Sequence, residues 1–236
     1  MINPREQSLG LFFCWWCINP CMEVRLISYS VPSEELKFQG INSAEDLIVH
    51  NARVSNPNNQ LNTETGEKLI QYCIKHEHWS IFEQAFLTVE IKTSRAIAQQ
   101  IVRHRSFTFQ EFSQRYAEVQ AFEEVKLRKQ AQSNRQSSAE PIDDLICNQL
   151  SSTVIAVAHK AYNELLAKGV ARESARMILP LCTQSTLYMS GTCRSFIHYI
   201  NLRCKEDTQL EHREVAMAVQ AQFKKVFPTV SRALGY

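Results

Sequence analysis

The sequence predicts an α+β fold: a mixed or antiparallel sheet flanked by helices, with one long helical element and no Rossmann motif. Three observations predict it. Apolar and polar residues alternate at 24–29, 86–91, 107–110 and 181–190, the period of half-buried strands. From 144 to 168 the apolar residues keep helical spacing instead. Gly-x-Gly-x-x-Gly, the phosphate turn of a dinucleotide fold, is absent, so a nucleotide has to be held in another way.

The composition is that of an ordinary globular chain, with 44% hydrophobic and 21% charged residues. Lys+Arg 26 against Asp+Glu 24 gives a net charge of +2, so no global field draws the chain to nucleic acid or membranes. An anion site must therefore be local.

The opening segment carries Cys14, Cys17 and Cys21 beside an apolar run, Leu9 to Ile18, too short to cross a bilayer and a poor secretory signal. C-x2-C-x3-C supplies three metal ligands where a structural zinc needs four. Residues 1–21 are read as a disordered N-terminal extension and 22–236 as the functional domain. Five other cysteines (Cys73, Cys147, Cys182, Cys193 and Cys204) stand singly in apolar or helical patterns. They predict reduced thiols and a cytoplasmic protein.

In chain order, Val24, Leu26 and Ser28 alternate with Arg25, Ile27 and Tyr29 as a first strand. A helix follows from Ser43, with Asp46 completing a capping-box start and Leu47, Ile48 and Ala52 facing inward. Residues 55–66, rich in Asn, Pro, Gly and Thr, form a loop. A second helix from Thr65 carries Leu69, Tyr72 and Cys73 and ends at His76. Ser80-x-x-Glu83 reads equally as a capping box or as ligand-binding residues. A strand over 86–91 leads to a short helix capped by Ser94, with Ile97 and Ile101 inward.

Arg103-His104-Arg105 then falls at or just past that helix's last turn, and Phe107 and Phe109 begin extended chain. Guanidinium groups converging at such a junction suit phosphate oxygens and carbonyls. Residues 117–141 lose all periodicity and read as a mobile excursion over the site. The long helix carries Ile146, Leu150, Val154, Val157, Ala161 and Leu165 for core or subunit packing, and Gly169 ends it. A short helix with Arg172, Glu173 and Arg176 stops at Pro180, and a strand follows. On the helix over 192–203, Arg194, His198 and Asn201 share a face and Arg203 points to the opposite side. A last helix from Thr208 and Glu211 turns Val215, Val219, Phe223 and Val226 inward and is stopped by Pro228.

Arg103-His-Arg, seven residues, Ser113, one residue, Arg115 is far more specific than a bare basic triplet. The chain resembles the flavin-dependent thymidylate synthases in this pattern, in Ala52-Arg-Val-Ser55, and in His78-x-Ser80-x-x-Glu83, where Gln84 replaces the family's last His. The resemblance runs from about Met22 to about Pro228. It implies reductive methylation of dUMP to dTMP, with FAD reduced by NADPH and methylenetetrahydrofolate as carbon donor. It implies that Ser55, His78, Ser80, Glu83, Arg103, His104, Arg105, Glu111, Thr192, Arg194 and His198 hold FAD. Gln100, Arg103, Glu111, Phe112, Ser113, Gln114, Arg115, Arg176 and Arg203 hold dUMP by the same resemblance, with Arg203 catalytic at the pyrimidine N3. No resident metal is implied. The arginines outnumber nearby carboxylates, and with the long helix this predicts a homo-oligomer, a tetramer with shared active sites. The rival readings are a nucleic-acid-binding protein using Arg103-His104-Arg105, and a zinc module on the three early cysteines.

Overall fold

The computed structural model describes residues 22–119, 121–132 and 134–236. The expectations for residues 1–21, including the three-cysteine cluster, lie outside the described residues. The alternating segments form one antiparallel sheet. β1 (Glu23–Tyr29), β2 (Phe86–Ser94), β6 (Gln184–Thr192) and β3 (Thr108–Glu111) lie in the order β1-β2-β6-β3.

Alternation decides the two faces. Val24, Leu87, Val89, Ile91, Leu187 and Met189 are buried on one side, with Val89 opposite Met189 and Ile91 opposite Leu187. The other side is polar, and Arg25, Glu90 and Tyr188 stand in one row across three strands. There the Glu90 carboxylate accepts hydrogen bonds from Tyr188 Oη (2.7 Å) and Arg25 Nη2 (2.6 Å), which hold it below the usual carboxylate range.

Helices cover the apolar face. α2 (Ala44–Ala52) starts with the predicted capping box, Ser43 with Asp46. Its inner face, however, centres on Ala44, Ile48 and Val49 rather than Leu47. α3 (Gly66–Lys75) likewise buries Ile70 and Cys73 and leaves Tyr72 exposed. In α2, Ile48 is buried as expected, whereas Leu47 and Ala52 are only partly buried, because neighbouring apolar positions fit the same period. Ser94 precedes α4 (Arg95–Ile101) with extended backbone, but its side chain makes no capping bond. α7 (Cys193–Arg203) follows β6 directly, and Thr192 Oγ1 accepts from the Ser195 N–H as its cap.

α8 (Leu210–Val226) buries Val215, Val219, Phe223 and Val226 as predicted. Pro228 does not end the helical region; it opens α9 (Pro228–Leu234), where a first-turn proline lacks only an N–H that would be unpaired anyway. Buried Glu45 caps that turn by accepting from the Val230 N–H at 2.7 Å. The remaining short helix, α1 (Glu34–Phe38), buries nothing.

A further expectation is corrected. Residues 117–141 are not structureless: β4 (Arg128–Gln130) and β5 (Ser138–Pro141) form a hairpin, and Phe122 is fully buried. Ion pairs tie the segment to α8, Arg128 to Glu211 at 2.7 Å and Lys126 to Glu214 at 3.3 Å. Such long-range anchoring leaves no period in the sequence.

α5 (Leu145–Ala167) does form, and Gly169 ends it with φ +82°. It buries Ile155 and Tyr162 against Val119, Phe122 and Ala175 of α6 (Arg172–Ala175) in a small second core. Ile146, Leu150, Val154 and Val157, expected to pack in the core or against a partner subunit, are all more than half exposed in the single chain and so are not part of its core.

Gly191 sets how closely the segment before β3 approaches the sheet. A Cβ there would lie 2.5 Å from Cδ1 of Phe107, whose ring is buried. Gly191→Ala is expected to destabilise the chain by about 1–3 kcal/mol through overpacking, read as a lower urea midpoint. An unchanged midpoint would show that Phe107 is not held against β6.

Candidate functional site

The site begins at the junction between α4 and β3. α4 ends at Ile101, and the chain turns through 102–107 with His104 N–H bonded to Ile101 O (3.0 Å) and Phe107 N–H to His104 O (3.3 Å). Ser195 Oγ of α7 donates to Ser106 O at 3.1 Å and pins the turn from the other side. The Phe107 ring meets Phe196 edge-on at 4.8 Å, and His104 meets Tyr199 edge-on at 5.0 Å. His104 is thereby buried, while Arg103 and Arg105 on either side are exposed.

The consequence is an unusual pairing of two basic side chains. Arg203 Nε lies 2.9 Å from His104 Nε2. A guanidinium can only donate, so Nε2 must be bare and His104 neutral, with its proton on Nδ1. Burial pushes His104 down to about 4, and the Arg203 and His198 charges add to the effect.

Beneath His104 lies His212 of α8, fully buried and pushed down to about 3 mainly by burial. Its Nδ1 is 3.1 Å from Oε1 of Gln100 on α4. The buried Tyr199 hydroxyl and His212 Nε2 have no hydrogen-bond partner among the described residues.

Other groupings also involve predicted residues. Glu83, at the end of the 3-10 turn Trp79–Glu83, pairs with Arg194 near the start of α7. Ser80 makes no capping bond in that turn, so the capping-box reading fails. Glu77 adopts φ 58°, rare for a residue with a Cβ, and turns the chain out of α3 so that His78 lies beside His76 and Tyr72. Ser80 and Gln84 line one cleft with Ala52 and Val54, and Ser55 lines another with Arg53 and Lys68. The α7 residues Arg194 and Arg203 thus meet different elements, as the opposite-face reading predicts.

Glu111 sits on the helix-covered side of β3, where it accepts from Ser185 Oγ (2.8 Å) and faces Arg95 at 3.7 Å. Exposed Arg115 pairs with Glu173 at 3.5 Å, close to Arg176 in sequence, and Ser113 is exposed. Phe112 is half-exposed with its N–H on Thr186 O, and Gln114 is buried with Nε2 unpartnered. Thr192 caps α7, and His198 is exposed.

The arginines are predicted to outnumber nearby carboxylates, and only Arg115 and Arg194 of the six have one, supplied by distant segments. Arg103, Arg105, Arg176 and Arg203 are in no ion pair among the described residues. Exposed, uncompensated guanidiniums at Arg103 and Arg105 fit a diphosphate such as that of FAD. Among the described residues no bond links Ser113, Arg115 or Arg176 to the Arg203–His104 group.

Sequence reasoning missed His212, Tyr199, Arg95 and Ser185. His212 alone left a signal: a histidine in register with Val215, Val219 and Phe223 on a buried helical face. No group of metal-binding side chains occurs among the described residues. The five described cysteines are free, and every one of their thiols is pushed above the usual range, in most cases by burial. None is poised as a thiolate.

An α+β fold in which Arg203 contacts a buried histidine, with exposed Arg103 and Arg105 on either side of it in sequence, is of a class suited to anionic ligands. The comparisons make the family definite. A family profile described as Thymidylate synthase complementing protein matches residues 38–229. A probable flavin-dependent thymidylate synthase of Paramecium bursaria Chlorella virus 1 is 48% identical over 91% of this chain and 100% of its own length. The flavin-dependent thymidylate synthase of Synechocystis is 48% identical over 90% and 99%. Among solved structures, the UMP/dUMP methylase PolB of Streptomyces cacaoi bound with 5-Br dUMP superposes with a TM-score of 0.78. It is 28% identical and covers 92% of this chain and 96% of its own. The chain belongs to the flavin-dependent thymidylate synthases and is an enzyme of that family.

The buried imidazoles make stability depend on pH. The unfolded chain protonates them near pH 6.5, whereas the folded chain does so only near about 4 for His104 and about 3 for His212. Between these values the unfolded state binds more protons, so stability rises with pH. Their contribution should be complete above about pH 6.5 and fall as pH drops through about 4 and then 3. Urea midpoints across this range should therefore fall less steeply for His212→Phe than for the wild type. Parallel curves would contradict a neutral, buried His212.

Proposed function

We propose that this chain converts dUMP to dTMP by reductive methylation, with methylenetetrahydrofolate as carbon donor and FAD, reduced by NADPH, as hydride source. The observation that carries the reading is Arg203, whose Nε is committed to neutral His104 and whose two Nη groups remain for a ligand. The PolB methylase bound with 5-Br dUMP, and relatives named as flavin-dependent, support it. FAD, when bound, supplies the redox chemistry that the protein's own side chains lack.

The chain's residues bind, orient and neutralise. Arg203 offers planar donors to negative charge developing on the pyrimidine, an aid worth about 3–4 kcal/mol when such a donor is removed. Gln100 and Glu111 stand on either side of the junction and are themselves held, Gln100 by His212 and Glu111 by Ser185. Arg103 and Arg105 take phosphate oxygens, with His78, Ser80, Glu83 and Arg194 along the flavin, beside Ser55, Thr192 and His198. Raised thiol pKa values across all five described cysteines fit a route without attack by an enzyme thiolate.

Assembly follows from what one chain leaves open. The exposed stripe Ile146, Leu150, Val154 and Val157 would stabilise a contact by roughly 1.5–3 kcal/mol per side chain fully buried. An apolar cleft of about 640 Å³ beside that stripe, between Ile97, Val125, Leu150 and Leu181, is lined by none of the predicted ligand residues. Both fit the surface of a second copy. A tetramer with shared sites lets Ser113, Arg115, Phe112, Gln114 and Arg176 of one chain complete the dUMP site built on Arg103 and Arg203 of another. The net charge of +2 weighs against the nucleic-acid alternative.

The test is dTMP formation from dUMP by protein supplied with FAD, NADPH and methylenetetrahydrofolate. Arg203→Ala should keep its flavin absorbance and lose ~100-fold or more in kcat. Arg194→Ala should instead weaken flavin retention. A colourless Arg203→Ala, or full turnover by it, would overturn the assignment.

A further inference from the structure

Glu211, Gln209, Gln100 and His212 form a hydrogen-bonded chain whose direction is fixed at one end. The Glu211 carboxylate, clamped by Arg128 of the hairpin at 2.7 Å, can only accept. Gln209 must therefore turn its Nε2 toward it, as observed at 3.0 Å. That leaves Gln209 Oε1 to accept from Gln100 Nε2 at 2.7 Å, so Gln100 presents Oε1 to His212, 3.1 Å from Nδ1. His212 must then carry its proton on Nδ1, and its bare Nε2 is left buried without a partner. A buried acceptor without a partner has a real desolvation cost. A histidine on the otherwise apolar face of α8 thus contributes its one donor to Gln100.

We infer that His212 is a positioning residue for nucleotide binding: with Gln209 it completes a two-point hold on the Gln100 carboxamide, so that Gln100 meets dUMP with one donor and one acceptor still free. The inference rests on the reading that this site binds dUMP. A carboxamide has two donors and two acceptor lone pairs, and Gln209 and His212 take one of each. Gln209 sets which way the carboxamide points and His212 is its second contact; without His212, Oε1 loses that contact and the amide is held only at its nitrogen end. The same ring packs on Tyr199 (5.9 Å) and His104 (6.3 Å), so it also supports the histidine that holds Arg203. That packing role and the hydrogen-bonding role are separable by substitution.

The experiment uses full-length, FAD-loaded enzyme and compares His212→Phe, which keeps a ring but no donor, with His212→Asn, whose amide nitrogen takes the place of Nδ1. His212→Phe should raise KM for dUMP about tenfold, the effect of one mispaired polar group, with kcat and flavin spectrum little changed. His212→Asn should restore KM to within about threefold of the wild type. Adding His212→Phe to Gln100→Ala should change KM no further, because the two substitutions break one link. If His212→Phe does not fold, His212→Gln, which carries its amide near the Nε2 position, should show the same rise in KM. Equal KM values in the wild type and the donor-less variant, or fully additive effects with Gln100→Ala, would overturn the inference. Failure of the wild type itself to methylate dUMP would instead overturn the functional reading.

Discussion

Arg203 donates to His104 across 99 residues of sequence, and that contact requires a neutral imidazole with a bare Nε2. Neutrality beside a guanidinium needs burial, and burial needs a lid of aromatic rings. Phe107, Phe196 and Tyr199 provide it from the turn and from α7. Those rings in turn need β6 to come close, which is why a glycine stands at 191. A single hydrogen bond between two basic side chains therefore places demands on a strand, a turn and two helices. The cost of burying His104 is met by packing around it, and the result is an arginine held by its Nε, with no protein partner on its two Nη groups among the described residues.

The same logic explains why the arginines divide into two sets. Those answered by a carboxylate, Arg115 and Arg194, are exposed, where such pairs are worth little. Arg103, Arg105, Arg176 and Arg203 have no carboxylate partner among the described residues. Uncompensated positive charge is unfavourable in the empty protein and becomes favourable when phosphates arrive. Ligand binding is thereby coupled to stability.

Much of this was legible in the sequence. Alternation at 24–29, 86–91 and 107–110 located three strands because each buries one face only. The capping box at Ser43 and the glycine at 169 marked helix ends through local bonds. What escaped was non-local. Ser80-x-x-Glu83 could not be resolved from spacing, because the partner that decides it, Arg194, is 111 residues away from Glu83. The period of α5 was right, but a period cannot say what covers a stripe, and Ile146, Leu150, Val154 and Val157 are exposed in the single chain. The hairpin at 128–141 is held by ion pairs to α8, which leave no pattern. His212 was visible as a polar residue on an apolar face, yet its partner Gln100 emerged only from the packing of α4 on α8.

The central claim is that His104 is neutral and accepts a hydrogen bond from Arg203, and its most direct test is the protonation state of the ring. Selective ¹⁵N labelling of histidine, with His104 assigned by comparison with His104→Gln, reports each ring nitrogen separately by NMR. Near neutral pH the account predicts a proton on Nδ1 and a bare, hydrogen-bond-accepting Nε2, whose signal shifts toward an unbonded value in Arg203→Ala. A proton on Nε2, a doubly protonated ring, or a spectrum indifferent to Arg203→Ala would contradict it.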